Sequence, residues 1–162
     1  MRRKDLLIAL LGAIVPIPSA FVETVLATPS KGVTAVILGR GTVAPFHIET
    51  QSKDFVVAGR KAADLVMAQI TIAVGGTTGW HTHHGPIFAF MKSGHLTITR
   101  VQGPSGCELT TYGPGDALVE IPDIVHIGRN VGTVPVVLLA TYTDVPIGGA
   151  TATSVPAAAK CR

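Results

Sequence analysis

Three of the chain's six histidines, His81, His83 and His84, lie within four consecutive positions, in the stretch GWHTHHGP. Alternate residues of an extended strand project to the same face, so His81 and His83 are expected to point together, with His84 on the opposite face. Two imidazoles on one face can bind one metal ion between them. The spacing therefore predicts two ligands of a metal site.

A third ligand has to come from elsewhere in the chain, and the segment IPDIVHIGRN offers His126 on a β-branched run after a Gly-Pro-Gly turn. Imidazole nitrogen suits Zn, Fe, Cu and Ni, and three protein ligands leave coordination positions open for water or substrate. We predict that His81, His83 and His126 bind one divalent transition metal ion, with Fe(II) or Zn first and Mn, Ni or Cu as further candidates. The alternative is a set of hydrogen-bonded histidines that hold no metal.

The neighbouring residues are interpreted differently. His84 would reach a metal or substrate only from the opposite face of the strand, and His47 and His95 are interpreted as rim or surface histidines without a role. Trp80, the only tryptophan, could form the floor of a pocket, but filling core space is the favoured interpretation.

The elements that position these residues are short strands. Alternating or β-branched runs are separated by turn segments rich in glycine and proline; the runs are GVTAVILGRG, DFVVAGR, LVMAQITIAV, PIFAFM, HLTITRV, CELTTY, ALVEI, VHIGRN and VPVVLLATY. Beyond the N-terminus, only KAADLVMAQ offers a helix candidate. The pattern predicts an all-β antiparallel barrel or sandwich with one domain over residues 32–143 and a flexible tail over 144–162.

Composition agrees with one compact domain of short elements and many turns, because the 162 residues include 18 Gly and 11 Pro and only 14% are charged. The formal net charge is +3, but the basic residues are scattered and no Lys/Arg stripe is interleaved with aromatic residues. We therefore expect no nucleic-acid partner.

The N-terminus has the pattern of an export signal. A basic start, MRRKD, precedes ten apolar residues, LLIALLGAIV, which end at Pro16 and are too short to span a bilayer. Val25-Leu26-Ala27 fits a signal-peptidase site, so we predict a signal peptide over residues 1–27 and a secreted or periplasmic protein without a membrane anchor after cleavage. An uncleaved anchor or an ordered N-terminal helix is the alternative.

Two cysteines, Cys107 and Cys161, follow the predicted leader. In an oxidising compartment an even pair predicts a disulfide, which here would join the C-terminal tail to the domain body. Two free thiols are the alternative, because Cys161 is next to the end of the chain, where order is often poor.

The first histidine stretch, GGTTGWHTHHGPIFAFMKSG, resembles the first conserved motif of the cupin family. That motif has a glycine, five residues, His-x-His, three or four residues, a glutamate, six residues and a glycine. Four of these positions are in register, namely Gly75, His81, His83 and Gly94.

The later stretch, GDALVEIPDIVHIGRN, resembles the second cupin motif, which has a glycine, five residues, Pro-x-Gly, two residues, a histidine, three residues and an asparagine. Gly115, His126 and Asn130 are in register. The resemblance covers most of residues 66–143. It implies a cupin jelly-roll β-barrel, an antiparallel double-sheet fold of six or more strands, with a metal at its mouth.

Two departures from the family pattern affect the expected chemistry. The family's metal-binding glutamate falls at Ile87 or Phe88, so neither position carries an oxygen ligand. Glu120 could act as a substitute, but a solvated outer face is the favoured interpretation. What remains resembles the three-histidine sites of some cupin oxygenases rather than the mixed His/Glu site of oxalate-type enzymes.

The second departure lies in the turn of the later motif. Its proline and glycine positions fall on Ile121 and Asp123, with Pro122 displaced by one residue. Aspartate tolerates left-handed backbone better than most residues, so we expect the turn to form.

Two functions remain open on the sequence. One is an exported metal-dependent enzyme, dioxygenase-like and acting on a small molecule, in which a metal-activated water could also support hydrolysis, elimination or isomerisation. The other is a non-catalytic module that binds a metal ion or small ligand. A small-molecule ligand or substrate and a second copy in a homodimer are the expected partners.

Overall fold

The computed structural model describes residues 28–104 and 106–161, so the predicted leader, residues 1–27, lies outside the described part. Twelve strands and one short 3₁₀ helix form over these residues. The strands are β1 Lys31–Val43, β2 Phe46–Glu49, β3 Val56–Gly59, β4 Ala63–Thr77, β5 His81–Thr82, β6 Ile87–Ser93, β7 Leu96–Gln102, β8 Gly106–Tyr112, β9 Ala117–Glu120, β10 His126–Arg129, β11 Val136–Val145 and β12 Thr153–Ser154, and the 3₁₀ helix is Ala159–Cys161. Within this part of the chain, no helix is long and apolar enough to cross a membrane.

Ten of the strands form one antiparallel sheet that closes into a barrel-like structure, which confirms the predicted all-β class. One layer has the order β1-β4-β11-β6-β9, and the other contains β12, β5, β10, β7 and β8. A backbone pair between Arg129 of β10 and Thr77 of β4 links the two layers.

Alternation of side chains explains why this sequence forms strands. In β4 and β6 every second residue is buried, so one face of each strand enters the core and the other faces outward. The segment KAADLVMAQ follows this period of two and belongs largely to β4, not to a helix. The central core comprises Ala68, Ile70, Ile72, Ile87, Ala89, Met91, Leu96, Ile98, Leu118, Val136, Leu138 and Ala140.

Two residues of the histidine motifs have structural roles. Gly94 turns the chain from β6 into β7 with φ of 71°, and a Cβ there would lie 2.6 Å from the carbonyl oxygen of Pro135. Only glycine avoids both problems. Asn130 is buried and its Nδ2 donates to the carbonyl oxygens of Ile72 and Val134, so it joins two strands.

The C-terminal segment differs from the expected flexible tail. Strand β11 continues to Val145, β12 pairs with β5, and the Val155 amide donates to the Trp80 carbonyl oxygen at 2.9 Å. Cys161 is buried and forms a disulfide with Cys107, as predicted, and it packs beside Trp80. Backbone pairing and the covalent link hold residues 144–161 against the barrel. The disulfide was predicted from the sequence, but the backbone pairing with β5 was not.

Strands β2 and β3 form a separate two-stranded sheet. They lie between β1 and β4, which pair with each other up to Val43 and Ala63, so they extend this hairpin beyond the barrel. Residues 46–59, called the hairpin arm below, are exposed except for the half-buried Val57 and Gly59.

Candidate metal centre

The structure brings His81, His83 and His126 together at the mouth of the barrel. His81 lies on β5, directly opposite His126 of β10 in the antiparallel register, and His83 follows β5 on the same face. The ring centroids are 4.3 to 5.2 Å apart and all three residues are buried. His84 is exposed and lies outside the cluster.

The remaining histidines also lie outside the cluster. His47 is on the hairpin arm, and His95 is exposed between β6 and β7. Trp80 packs in a small core with Ile127 and Cys161, as its favoured interpretation predicted.

A backbone carbonyl orients each histidine of the cluster. Nδ1 of His81, His83 and His126 donates to the carbonyl oxygens of Gly79, Thr151 and Ile124, at 2.9, 2.7 and 2.8 Å. A carbonyl only accepts, so Nδ1 carries a proton, and in the neutral imidazole Nε2 then keeps its lone pair. Such an outer hydrogen bond is what fixes the tautomer of metal-binding histidines.

A carboxylate completes the cluster, which corrects the interpretation of Glu120 as a solvated outer residue. Its side chain is only 14% exposed, and Oε2 lies 3.1 Å from Nε2 of His83 and 3.3 Å from Nε2 of His126. The cluster is therefore a mixed set of three imidazoles and one carboxylate. The alternative in which Glu120 substitutes for the family's glutamate therefore agrees with its position beside the predicted histidines.

The register of β6 and β9 explains how this carboxylate reaches the site. Glu120 is the direct antiparallel partner of Ile87, the position at which the family glutamate was expected. Directly opposed residues share a face of the sheet, so the carboxylate enters from the neighbouring strand beside that position. The residues are far apart in sequence, and only the alternation of ALVE, with Leu118 inside, could have indicated that Glu120 also points inward.

The donor atoms fit a metal ion. The Nε2 atoms of His83 and His126 are buried and have no hydrogen-bond partner among the described residues, and the Glu120 carboxylate lies beside them at ion-pair distance. One ligand atom from each of the four residues lies within 4.8 Å of all the others. Ligands about 2.1 Å from one ion can be at most about 4.2 Å apart, so small side-chain shifts would allow all four to reach it.

Charge and burial shift the pKa values of the cluster in different directions. Burial would raise the pKa of Glu120, but the close His126 and His83 side chains outweigh it and hold that pKa well below its usual range. Burial would likewise lower the pKa of His126, yet the Glu120 carboxylate raises it. Burial, together with the charge on His126, lowers the pKa of His81 to about 4. Without a metal, the carboxylate is thus ionised and His81 is neutral.

A cavity of about 50 Å³ lies beneath the cluster. Its walls are mostly aliphatic and its polar edge includes His81, His83 and Glu120. Tyr142 also lines it, with its ring centroid 5.6 Å from that of His83. Burial and the charge of Glu120 raise the pKa of the Tyr142 hydroxyl, so this group stays protonated at neutral pH.

The turn before His126 forms as expected. Asp123 has φ of 58°, in the left-handed region, and its amide donates to the His83 carbonyl oxygen at 3.0 Å. The turn thereby ties the segment carrying His83 to the segment that leads into β10.

Comparison with known proteins agrees with this geometry. A family model described as the cupin domain matches residues 68–142. Among solved structures, the oxalate decarboxylase of Bacillus subtilis, studied for its Mn(II) centres, is 21% identical with a TM-score of 0.50, over 56% of this chain and 24% of that one. The oxalate decarboxylase of Lactobacillus farciminis, in a formate complex, is 22% identical with a TM-score of 0.49, over 56% and 26%. A comparison with curated proteins found no match.

These likenesses concern the barrel alone. The chain spans about a quarter of the length of the oxalate decarboxylases that it resembles. The family match contains the whole first histidine stretch, from Gly75 to Gly94, and the whole second motif, and the fold places His126 opposite His81. Residues 68–142 therefore match the cupin domain, within a barrel that has the same fold as the Bacillus subtilis oxalate decarboxylase.

Proposed function

We propose that this protein is an exported cupin that holds one divalent transition metal ion with His81, His83, His126 and Glu120 and acts on a small molecule beside it. The observation that carries the proposal is the pair of buried Nε2 atoms without hydrogen-bond partners, next to a buried carboxylate. Buried polar atoms are almost always paired, so such a set calls for a ligand that none of the described residues supplies.

The four residues would contribute different kinds of donor to the metal ion. The three imidazoles are neutral donors and Glu120 adds one negative charge, so the set suits Fe(II), Zn or Mn(II), with Ni or Cu as weaker candidates. When bound, such an ion supplies Lewis-acid or, for iron, oxygen-activating chemistry. The Gly79, Thr151 and Ile124 carbonyls keep the imidazoles oriented.

The cavity limits the size and polarity of the substrate. Its volume of about 50 Å³ holds about four water-sized groups. The aliphatic walls favour an apolar part facing the core, and the site end favours an oxygen or sulfur donor that can join the coordination shell. The cavity itself therefore holds only about four heavy atoms, either a very small substrate or the end of a larger one.

Export is supported by two features of different kinds. The residues of the leader have the charge and length pattern of a signal peptide. The Cys107–Cys161 disulfide suits an oxidising compartment. We infer that the mature protein begins at Thr28 and acts in the periplasm or outside the cell.

The first test is metal analysis of untagged protein purified from its producing cell, combined with N-terminal sequencing. We expect one transition-metal ion per chain and an N-terminus at or near Thr28. Metal-free wild type that gains no ion from Fe(II), Zn(II) or Mn(II) would contradict the site, and a cytoplasmic protein that begins at Met1 would contradict export.

A non-catalytic binding module is the second candidate, and one observation favours it. Among the described residues that line the cavity, Tyr142 is the only titratable group outside the donor set. Its raised pKa keeps the hydroxyl protonated at neutral pH, so it is not available to accept a proton. Oxygen consumption by Fe(II)-loaded protein, tested with small thiols, diketones and phenols, separates the two. Turnover of any one supports the enzyme, and uniform silence with tight metal retention supports the module.

A further inference from the structure

The C-terminal part of the chain contacts two of the clustered histidines directly. We call residues 146–161 the C-terminal strap. The Thr151 carbonyl oxygen of the strap accepts a hydrogen bond from Nδ1 of His83 at 2.7 Å. Ser154 is the direct antiparallel partner of His81 in the register of β12 and β5. The strap therefore orients one imidazole and pairs with the strand that carries the other.

The strap also packs against residues next to the histidines. The Val155 amide donates to the carbonyl oxygen of Trp80, which directly precedes the first histidine of the cluster. Cys161 is buried in a small apolar cluster with Trp80 and Ile127, and Ile127 directly follows His126. Each histidine of the cluster is thus bonded to the strap, paired with it, or adjacent to a residue that the strap contacts.

The strap is attached to the barrel at both of its ends. At the start, the Gly148 amide donates to the Asp64 carboxylate at 2.9 Å. At the end, the disulfide joins Cys161 to Cys107 of β8. The residues that contact the histidines lie between these two attachments, so the position of this stretch depends on both.

Few other contacts hold the second half of the strap. Strand β12 is two residues long, and both residues are exposed. The apolar contacts come from the half-buried Val155 and Ala158 beside Cys161, and Lys160 adds one exposed hydrogen bond to the Gly103 carbonyl oxygen. Segments with few buried apolar contacts and exposed hydrogen bonds open at low free-energy cost. The disulfide is therefore the main attachment of this half.

The disulfide is accessible from one side. Cys107 is exposed on β8, whereas Cys161 is buried. Exposed disulfides are more readily reduced than buried structural ones, and they include the regulatory disulfides. A reductant can therefore reach the Cys107 sulfur while the barrel stays folded.

We propose that the Cys107–Cys161 disulfide sets the metal affinity of the site. The closed bond keeps the strap against the histidines, and its reduction lets the strap open and lowers the affinity. The inference rests on the metal site of the proposed function. Loss of the outer hydrogen bond of a metal-binding histidine lowers metal affinity about 10- to 100-fold, and the strap supplies that bond to His83.

The redox step is an exchange with a dithiol. The two thiols of the reductant give up two electrons and two protons, the sulfur–sulfur bond of the protein becomes two thiols, and the reductant becomes a disulfide. Coupling between two sites is reciprocal, so a bound metal ion would in turn favour the closed disulfide.

Zn(II) affinity of the mature protein, measured by competition with a coloured chelator, tests the proposal. The variant Cys107→Ser with Cys161→Ser cannot form the bond and offers no thiol ligands. We expect it to bind Zn(II) about 10- to 100-fold more weakly than the oxidised wild type. Wild type that is reduced and then capped with iodoacetamide should lose affinity to a similar extent.

A control separates this effect from a general loss of stability. Met91→Ala truncates a fully buried side chain in the central core cluster, which contains no strap residue. Such a truncation destabilises a domain to a degree similar to the loss of a disulfide. The variant should nevertheless keep the Zn(II) affinity of the wild type, and circular dichroism should show that all variants are folded.

Hydrogen exchange of the metal-free proteins reports the opening of the strap itself. The Val155 amide should exchange at least about 10-fold faster in the double serine variant than in the oxidised wild type, while amides of β4 and β11 stay protected. This measurement does not depend on metal binding.

The outcomes distinguish the two proposals. An oxidised wild type that binds no Zn(II) would overturn the metal site and this inference together. A wild type that binds Zn(II), with a double serine variant that binds it equally well, would overturn only the role of the disulfide. An equal loss of affinity in Met91→Ala, or unchanged exchange of the Val155 amide, would overturn the role of the strap.

Discussion

The mouth of the barrel and the outer face of the layer β1-β4-β11-β6-β9 depart from the usual partition of side chains in opposite ways. At the mouth of the barrel, four ionisable side chains lie together, with the three histidines buried and Glu120 14% exposed. On the outer face and the hairpin arm, large apolar side chains are exposed. Buried polar groups and exposed apolar patches are the informative exceptions to the rule that apolar residues lie inside.

The two regions differ in their chemistry. The inner donors have their outer nitrogens bonded and their inner ones unpaired, which suits a cation. The outer surfaces expose apolar side chains, among them Met67, Phe88 and Ile48. One strand, β6, serves both, because alternation sends Ile87 inward and Phe88 outward.

Removal of one imidazole is expected to have the largest effect on metal binding. His81→Ala, His83→Ala and His126→Ala should each lower metal affinity at least about 100-fold, because loss of an outer hydrogen bond alone costs 10- to 100-fold. Bound metal per chain after dialysis against a weak chelator measures this. His84→Ala and His95→Ala should keep wild-type occupancy, and ligand variants that also keep it would refute the assignment.

The carboxylate can be tested by moving it. Glu120→Gln should lower metal affinity about 10- to 100-fold while preserving the shape of the site. Adding Ile87→Glu to that variant places a carboxylate on the opposed position and should recover part of the loss. A Glu120→Gln protein with undiminished affinity would show that the three histidines suffice.

The sequence predicted most of the fold and the histidine cluster for a physical reason. Period-two alternation and glycine-rich turns are local, and His81, His83 and His126 lie within local motifs. Glu120 was missed because its place depends on the pairing of β9 with β6, which is not local. The C-terminal segment was misjudged likewise, since its order depends on pairing with β5 and on the bond to Cys107.

Removal of the disulfide is expected to have a smaller effect, on the free energy of unfolding. Its cysteines are 54 residues apart, and closing a loop of this size stabilises a domain by about 2–4 kcal/mol. The double change Cys107→Ser with Cys161→Ser should lower the free energy of unfolding by that amount in urea titrations. Reductant should destabilise the wild type and leave the double variant unchanged; equal stability of the two proteins would contradict this role.

The smallest effect is expected at Asp64, under the β1–β4 edge. The Gly148 amide and the Thr42 hydroxyl donate to its carboxylate, and with Arg40 they lower its pKa. A lowered pKa contributes stability above the unfolded value of about 3.9, which is lost as the pH falls through the folded value. Asp64→Asn should therefore be less stable than the wild type at pH 6, and this gap should close below pH 4.

Urea unfolding at both pH values measures the gap. Asp54→Asn, on the exposed hairpin arm, is the matched control and should show no gap at either pH. A constant difference between Asp64→Asn and the wild type across this range would show that the charge of Asp64 is not what stabilises the edge.

Anomalous diffraction from crystals soaked in Zn(II) or Mn(II), recorded at the absorption edge of the metal, tests the central claim most directly. If the four residues bind one ion, we expect one strong peak per chain, about 2.0–2.2 Å from Nε2 of His81, His83 and His126 and from one carboxylate oxygen of Glu120. A peak bound elsewhere, or a cluster without a peak in metal-saturated crystals, would contradict it.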